Sequence, residues 1–454
     1  MRTIIAATLL LAVAAQADDS NYRNTLIGER AFGLAGTFTA LADDSSGIFY
    51  NPAGIVDANK DSFSLSASVY TLQNMTLKKA FAPLDSNLQE DIESSTFSSV
   101  PSTVGSLSKL NERVTVGFNT IVLDQREVKI DDMARLNDPT IAYTREAMFI
   151  RDTKDQILLI GPGLGLRLSD MVSVGLAGFY VMRTFEDKTT WGDKVARRSN
   201  NEAIKVQSIS QGIKLETGSL VGLLGVKLNL SHHLKLGATA RTRSWRVRES
   251  GKITSAISTY YRPDLETALA NDDDEAIYAN KPHFGSRSDG ISSSARMPYK
   301  LALGIAYEKK LDFTVTMDLN YFNGYRFNLL TVEGWEDSTV PLGRVDQDAV
   351  LNSSFGCEYF FHKAYPLRFG IYTNFSSAPK VKEGDYSTQE HIDIIGGTLS
   401  VGKEDPNYST TLGLAGSYGW GRSPLPIVAP DTDIQSLEVT TSSVSLLLSG
   451  SYYF

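Results

Sequence analysis

Phe313-Thr314-Val315-Thr316-Met317-Asp318-Leu319-Asn320-Tyr321 alternates without a slip. Successive side chains in a strand point to opposite faces, so Phe313, Val315, Met317, Leu319 and Tyr321 share one face, and Thr314, Thr316, Asp318 and Asn320 the other. The first face suits hydrocarbon and the second a wet interior. The same two-faced chemistry recurs at Leu158, Ile160, Leu164, Leu166 and Leu168, which oppose Gly161, Gly163, Gly165 and Arg167. At the carboxyl end Val444, Leu446, Leu448, Tyr452 and Phe454 lie opposite Ser445, Ser449 and Ser451. Strand 391–402 alternates poorly, and its outer face is not readable.

Working outward, the pattern predicts strands at 62–72, 98–107, 112–123, 156–168, 172–186, 212–230, 234–247, 296–308, 311–323, 350–360, 366–376, 391–402, 408–420 and 439–454. The links between them alternate in length. Ser169-Asp170, Ser231-His232-His233 and Lys309-Lys310 are tight turns, and 108–111, 361–365 and 403–407 are short. Long polar stretches fill 73–97, 124–155, 187–211, 248–295, 324–349, 377–390 and 421–438. Short turns on one side and long loops on the other, with an even strand number, are the pattern of a transmembrane barrel. A soluble sandwich has no cause to sort its loops by side. Hydrocarbon also forbids an open sheet edge, because every backbone polar group there must be paired within the protein. The expectation is an all-β, 14-stranded antiparallel transmembrane β-barrel over residues 61–454, closed by its first and last strands.

The amino end reads as an export signal over residues 1–17. Met1-Arg2 is positive, Ile4 to Ala15 is apolar, and Ala15-Gln16-Ala17 fits a small-x-small cleavage site. The apolar run is shorter than the roughly 20 residues a spanning helix needs. Cys357 is the one cysteine, which excludes an internal disulfide and a thiolate zinc cluster. A net charge of −8 with no concentrated basic face argues against nucleic acid. Twenty Tyr, twenty Phe and four Trp are ample for aromatic girdles at two membrane interfaces.

Residues 18–60 do not alternate. They are rich in small residues, with short helical stretches expected around 31–42 and 45–50. An eight-stranded barrel fills its own interior, while about 16–18 strands leave an aqueous channel, so a fourteen-stranded bore needs a plug. This segment is a fitting one. Its Gly28-Glu29-Arg30-Ala31-Phe32-Gly33-Leu34-Ala35-Gly36-Thr37-Phe38-Thr39-Ala40-Leu41-Ala42-Asp43-Asp44 stretch, followed by Asn51-Pro52-Ala53-Gly54, resembles the FadL family of outer-membrane transporters for hydrophobic compounds. The strand count and the aromatic carboxyl end agree. Ala35 departs from it, standing where such sequences commonly have glycine. The resemblance implies a movable hatch inside the barrel, seated by Gly33, Gly36, Asn51, Pro52, Ala53 and Gly54. It implies passive uptake of fatty acids or other hydrophobic compounds such as aromatic hydrocarbons. Ligand would be captured among external loops, passed to a lumen site, and released sideways through a kink in the third strand. Asn-Pro-Ala-Gly taken alone is also a common loop tetrapeptide. Physically, Pro52 fixes its own φ and holds Asn51 extended, and Asn51 can satisfy backbone groups left free by the turn.

In the third strand Gly117 is the evident weak point, since glycine in a strand often marks a bend; an ordinary lumen-facing glycine is the other reading. Arg241 and Arg243 share a face and could guide a carboxylate, or pair with loop acids. In loop 248–295, Ile253, Ile257, Tyr260 and Tyr261 precede a helix start at Pro263-Asp264-Leu265-Glu266 and could form a capture groove, or equally pack the loop onto its neighbours. Asp272-Asp273-Asp274-Glu275 could bridge to lipopolysaccharide through divalent ions, and is otherwise a solvated patch. Gly161-Pro162-Gly163 lies within a strand and lacks the following helix of a phosphate loop. Tyr452 and Phe454 suit recognition by the barrel assembly machinery. No cofactor is expected, and no nucleophile and base pair off to make an enzyme. The expected location is the outer membrane of a Gram-negative-type bacterium, with the amino terminus periplasmic or in the lumen. A barrel of this kind acting as a secretion-system carrier or a structural outer-membrane protein is the alternative.

Overall fold

A computed structural model of the chain describes residues 20–454 except 23, 67–68, 83–84, 101–102, 200, 262–282, 288–290, 294–296, 329, 333–343, 383–388 and 426–434. From Ser62 the backbone builds fourteen antiparallel barrel strands. β1 is Ser62–Ser66 continued by Val69–Leu77, and β2 is Ile92–Val100 continued by Thr103–Asn111. β3 (Val114–Leu136), β4 (Tyr143–Arg167), β5 (Val172–Arg197) and β6 (Glu202–Asn229) are long. β7 is Leu234–Arg241 continued by Trp245–Tyr261, and β8 is His283–Arg287 with Lys300–Lys309. β9 (Phe313–Phe322), β10 (Val350–Phe361), β11 (Tyr365–Asn374), β12 (His391–Glu404), β13 (Tyr408–Leu425) and β14 (Gln435–Tyr453) complete the wall.

Each strand pairs with the next in sequence, and β1 pairs with β14 from Ser62↔Tyr453 to Leu77↔Val439. The cylinder is thereby closed, as a hydrocarbon environment demands. Every strand expected from the alternation is present, but the links at the two ends do not all differ in length as expected.

The difference lies above the alternating segments. Residues 124–155 and 187–211 are mostly strand rather than loop, with the breaks among the described residues at 137–142, 198–199 and 201. There most outward positions are polar, and inward ion pairs such as Arg151 with Asp187 at 2.8 Å tie neighbouring strands together. Apolar periodicity is lost once a strand leaves hydrocarbon, although its hydrogen bonding continues. Backbone 248–261, read as loop, is likewise strand. The helix start at Pro263 and the acidic run at Asp272 lie outside the described residues.

The outer face carries the expected apolar set: Phe313, Val315, Met317, Tyr321, Leu446 and Leu448 are all exposed. In β12 the outward set is Ile395, Gly397, Leu399 and Val401, the glycine being what blurs the pattern. At the short-turn end aromatic rings form a girdle, with Tyr307 stacked on Phe313 (5.5 Å), and Tyr359 edge-on to Phe361 (4.9 Å). Tyr452 meets Phe454 at 5.1 Å, both facing outward, and the Phe454 N–H donates to the Asp61 carbonyl at 3.0 Å.

Candidate functional site: the filled bore

Residues 20–22 and 24–61 lie inside the cylinder. Three short helical pieces organise them: α1 (Glu29–Gly33), α2 (Gly47–Tyr50) and a 3₁₀ turn (Pro52–Asp57). The helix expected over 31–42 stops at Gly33. The Gly36 N–H returns to the Ala31 carbonyl (2.7 Å) and the Ala35 N–H to Phe32 (3.1 Å), a Schellman closure. That closure puts Ala35 at φ 53° and Gly36 at φ 74°. Ala35 therefore occupies the left-handed position where glycine is the usual residue, which gives its departure from the family pattern a conformational meaning.

Ile27, Leu34, Phe38, Leu41, Ile48 and Ile55 are fully buried, packed with Ile121, Leu159, Phe179 and Val221 from the wall. Each such side chain contributes about 1.5–3 kcal/mol of burial. The wall makes room with glycine. A Cβ at Gly163 would stand 2.6 Å from the Ile48 side chain, and one at Gly175 would stand 2.3 Å from the Ala53 nitrogen. Gly165, Gly237, Gly304 and Gly370 similarly face the inner segment, so small residues line the bore on several strands.

Asn51 is wholly buried and extended (φ −158°), as the residue before proline should be. Its side chain accepts from the Ala53 N–H (3.1 Å) and donates to the Thr39 carbonyl (2.8 Å) and to the Val226 carbonyl of β6 (3.0 Å). It reaches the wall because Gly225 has no side chain: a Cβ there would sit 2.1 Å from the Asn51 oxygen. Pro52 opens the 3₁₀ turn, Ala53 is buried within it, and Gly54 packs on Ala42. Gly33 lies against Ser400 and Arg368, and its carbonyl accepts from Thr398 (3.0 Å).

Toward the short-turn end the seat is ionic. Arg30 bridges Asp43 (2.8 Å), Glu308 (2.8 Å) and Glu358 (2.7 Å). Arg368 joins Glu358 (2.6 Å) to Glu404 (2.7 Å), and Lys235 holds the far side of Glu308. Lys227 is fully buried, pairs with Asp57 at 2.9 Å and donates to the Leu41 carbonyl. Burial opposes the charge on Arg30, but Glu358, Asp43 and Glu308 outweigh it and hold the guanidinium charged. Burial pushes Asp43 up, yet Arg30, Lys227 and Lys235 pull it well below the carboxylate range. Asp57 is lowered likewise, against its burial, chiefly by Lys227. Asp44 has no such cation; burial lifts it to about 6 although Ser46 donates to it twice. Glu308, Glu358, Lys227 and Asp318 were not singled out from the sequence. Their signal was present: each is polar at an inward position of a strand whose neighbouring residues face out.

Above this seat two cavities, of 140 and 60 Å³, flank the leading arm. The arm is tied to the wall by Asn21, which donates to the Asn374 (2.7 Å) and Ile392 (3.0 Å) carbonyls, and by Tyr22 stacked on Phe322 (4.5 Å). Asn24 donates to Asp124 at 2.9 Å. Neither cavity approaches the roughly 300–1,000 Å³ of a pocket that encloses a drug-sized ligand.

Of the two readings left open for Gly117 the structure agrees with the lumen-facing one, and the reading of Arg241 and Arg243 needs correction. Gly117 is in unbroken register with Leu107 and Gly163, and it faces Ile48. The irregularity in β3 comes instead between Val122 and Asp124, at Leu123, which lines the smaller cavity. Arg241 and Arg243 do not share an environment. Strand pairing lapses over 242–244, leaving Arg241 buried and Arg243 exposed, so the period of two does not carry across.

No family model and no curated protein matches this sequence. Solved structures do. A Pseudomonas aeruginosa FadL homologue superposes with a TM-score of 0.63 at 13% identity, covering 96% of this chain and 100% of its own. The Pseudomonas putida toluene transporter TodX gives 0.59 at 13% identity over 96% and 100% of the two chains. The fold is that of the FadL-type barrels. The CymD monoaromatic hydrocarbon channel is similar too, at 0.53 and 12% identity over 94% and 97%. These fold relatives are transporters and channels rather than enzymes.

Proposed function

We propose that this barrel mediates passive uptake of hydrophobic compounds, fatty acids among them, across the outer membrane of a Gram-negative-type bacterium. The observation that carries the reading is the division of the bore: an arm with small cavities on either side, beneath it a close-packed apolar layer, and below that an ion-paired seat bordering a 410 Å³ cavity at the short-turn end. Passage then requires the inner segment to move as a hatch. Hydrophobic cargo gains about 0.8 kcal/mol per buried CH₂, so release into the membrane is favoured over release into water. The Leu123 irregularity in β3, rather than Gly117, is our proposed place for sideways release. Tyr452 and Phe454 serve recognition by the barrel assembly machinery, and the long-loop end meets lipopolysaccharide.

Uptake of a labelled fatty acid and of labelled toluene by cells with and without the gene tests the reading. Loss of uptake of either on deletion is expected. Unchanged uptake of both, together with loss of secreted proteins, would overturn it in favour of a secretion-system carrier.

A further inference from the structure

We propose that the link between β1 and β2 is a lid at the long-loop end of the bore, held shut by Phe81, and that hydrophobic cargo opens it by taking the place of Phe81 against Trp191. This rests on the uptake reading and adds the step that admits cargo. Of the link, residues 78–82 and 85–91 are described. It does not stand out into solvent as a polar loop would. Ala80, Phe81 and Leu88 are buried in one apolar cluster with Val128 and Ile130 of β3, Phe149 of β4 and Trp191 of β5. The raised parts of β3, β4 and β5 thus form the wall on which the link leans. The cluster also borders the 140 Å³ cavity, since Met75 and Ile392 belong to both. Cargo approaching that cavity over this wall meets the link first.

The link is tied down lightly. The Ala80 N–H donates to the Glu90 carbonyl (3.0 Å) and the Leu88 N–H to the Asp85 carbonyl (2.9 Å), both within the link. At its base the Lys78 N–H donates to the Glu438 carbonyl at 3.0 Å. To β3, β4 and β5 it makes one hydrogen bond among the described residues, from the Tyr143 hydroxyl to Asp85 at 2.7 Å. Lys79, beside the base, has a left-handed φ of 51°, uncommon for a residue other than glycine. Strained positions of this kind cluster at switch segments. Segments with few bonds to the rest of a protein open at low cost.

The remaining hold is apolar, and it is one that cargo can supply. Phe81 stacks on Trp191 with ring centroids 6.0 Å apart, and Phe149 meets the same indole at 6.0 Å. The Trp191 Nε1–H is buried with no acceptor among the described residues. A permanent core normally satisfies such a group. A ring or acyl chain laid over Trp191 replaces the contact that Phe81 gives up, so the exchange loses little apolar burial. A polar solute offers no such replacement, and the lid stays shut to it.

The test is a reversible lock on the full-length protein in lipid nanodiscs. In a Cys357→Ala background, Asp85→Cys and Tyr143→Cys place thiols on the two sides of the single hydrogen bond, and a bismaleimide with a disulfide spacer joins them until it is reduced. Trp245→Phe, Trp335→Phe and Trp420→Phe leave Trp191 as the sole tryptophan. The probe is 1-bromododecane, whose bromine quenches indole fluorescence on contact. It should quench Trp191 in the unlocked protein, fail to do so in the locked one, and quench again after reduction. Equal quenching in locked and unlocked forms overturns the proposal, because Trp191 is then reached without the lid moving. No quenching in the unlocked form overturns it as well. Should the single-tryptophan protein fail to fold, amide exchange decides: Phe81→Ala alone should speed exchange over 85–91 about tenfold or more, and unchanged exchange overturns the lid. Uptake of labelled fatty acid and toluene is scored separately in cells. Quenching and locking as expected, with uptake of neither, would overturn the uptake reading and leave the lid standing.

Discussion

Asp318 and Thr39 are joined twice across the bore: the Thr39 N–H (3.0 Å) and hydroxyl (2.7 Å) both donate to Asp318 Oδ2. The Phe38 N–H reaches the same oxygen at 3.0 Å. One wall carboxylate thus satisfies two backbone donors of an irregular segment that has no sheet partner. Asp318→Ala leaves them buried and unpaired, and is expected to loosen the inner segment by about 3 kcal/mol, with Asp318→Asn intermediate. Amide hydrogen exchange at 38 and 39 measures this. Unchanged protection in the alanine variant would refute the role given to Asp318.

Arg30 is the cation on which three carboxylates converge. Glu308 and Glu358 keep Lys235 and Arg368 if it is removed, whereas Asp43 has no other ion pair among the described residues. Arg30→Met should therefore cost about 3–5 kcal/mol, as removal of one partner of a buried pair does. Adding Asp43→Asn should restore part of that stability. Thermal unfolding of the single and double variants gives the comparison. A double variant no more stable than the single would mean that Asp43 is not the orphaned charge.

The barrel was legible because membrane strands repeat one simple rule at every turn. Phe313 to Tyr321 shows the rule without exception, and its lipid and lumen faces are as the alternation says. The rule fails where its cause does. Above the hydrocarbon, residues 124–136 and 187–197 are strands with mostly polar outer faces, and nothing in their periodicity separates them from loop. Gly397 leaves no apolar mark on the outer face of β12. The inner segment was legible as a segment but not in its contacts. Asn51 finds Val226, and Gly175 finds Pro52, by closure of the cylinder, and chain distance carries no trace of that. Arg243 shows the same limit on a smaller scale, since the lapse in pairing over 242–244 turned it to solvent.

Gly175 tests whether the inner segment seals the bore. A β-carbon there would lie 2.3 Å from both the Pro52 carbonyl carbon and the Ala53 nitrogen, and main-chain atoms cannot yield as a side-chain tip does. Its strand partners Gly165 and Gly225 do not block the substitution from the sheet side. Gly175→Val should leave a folded barrel with the 3₁₀ turn displaced. In planar bilayers it should show steady ion conductance that wild type lacks. Gly178→Val is the control, because a Cβ at 178 meets nothing within 4 Å. Equal conductance in both variants would mean that the 3₁₀ turn is not part of the seal.

Asp44 predicts the pH dependence of the seat. Burial lifts its carboxyl from 3.8 to about 6, so the folded seat favours the protonated form. A raised carboxyl works in the reverse sense to Asp43 and Asp57. Its contribution is complete below about pH 4 and is lost as pH rises to about 6, whereas theirs is present at neutral pH and lost on acidification. At pH 7 the charged Asp44 should cost about 2 kcal/mol, allowing for its partial exposure. Asp44→Asn keeps an oxygen for the two Ser46 donors (2.8 and 2.6 Å) and removes the charge. The variant should hold the inner segment more tightly than wild type at pH 7 and equally at pH 4. Hydrogen exchange over 44–56, corrected for the intrinsic pH effect, separates the two. A variant that tracks wild type at both pH values would place the titration elsewhere.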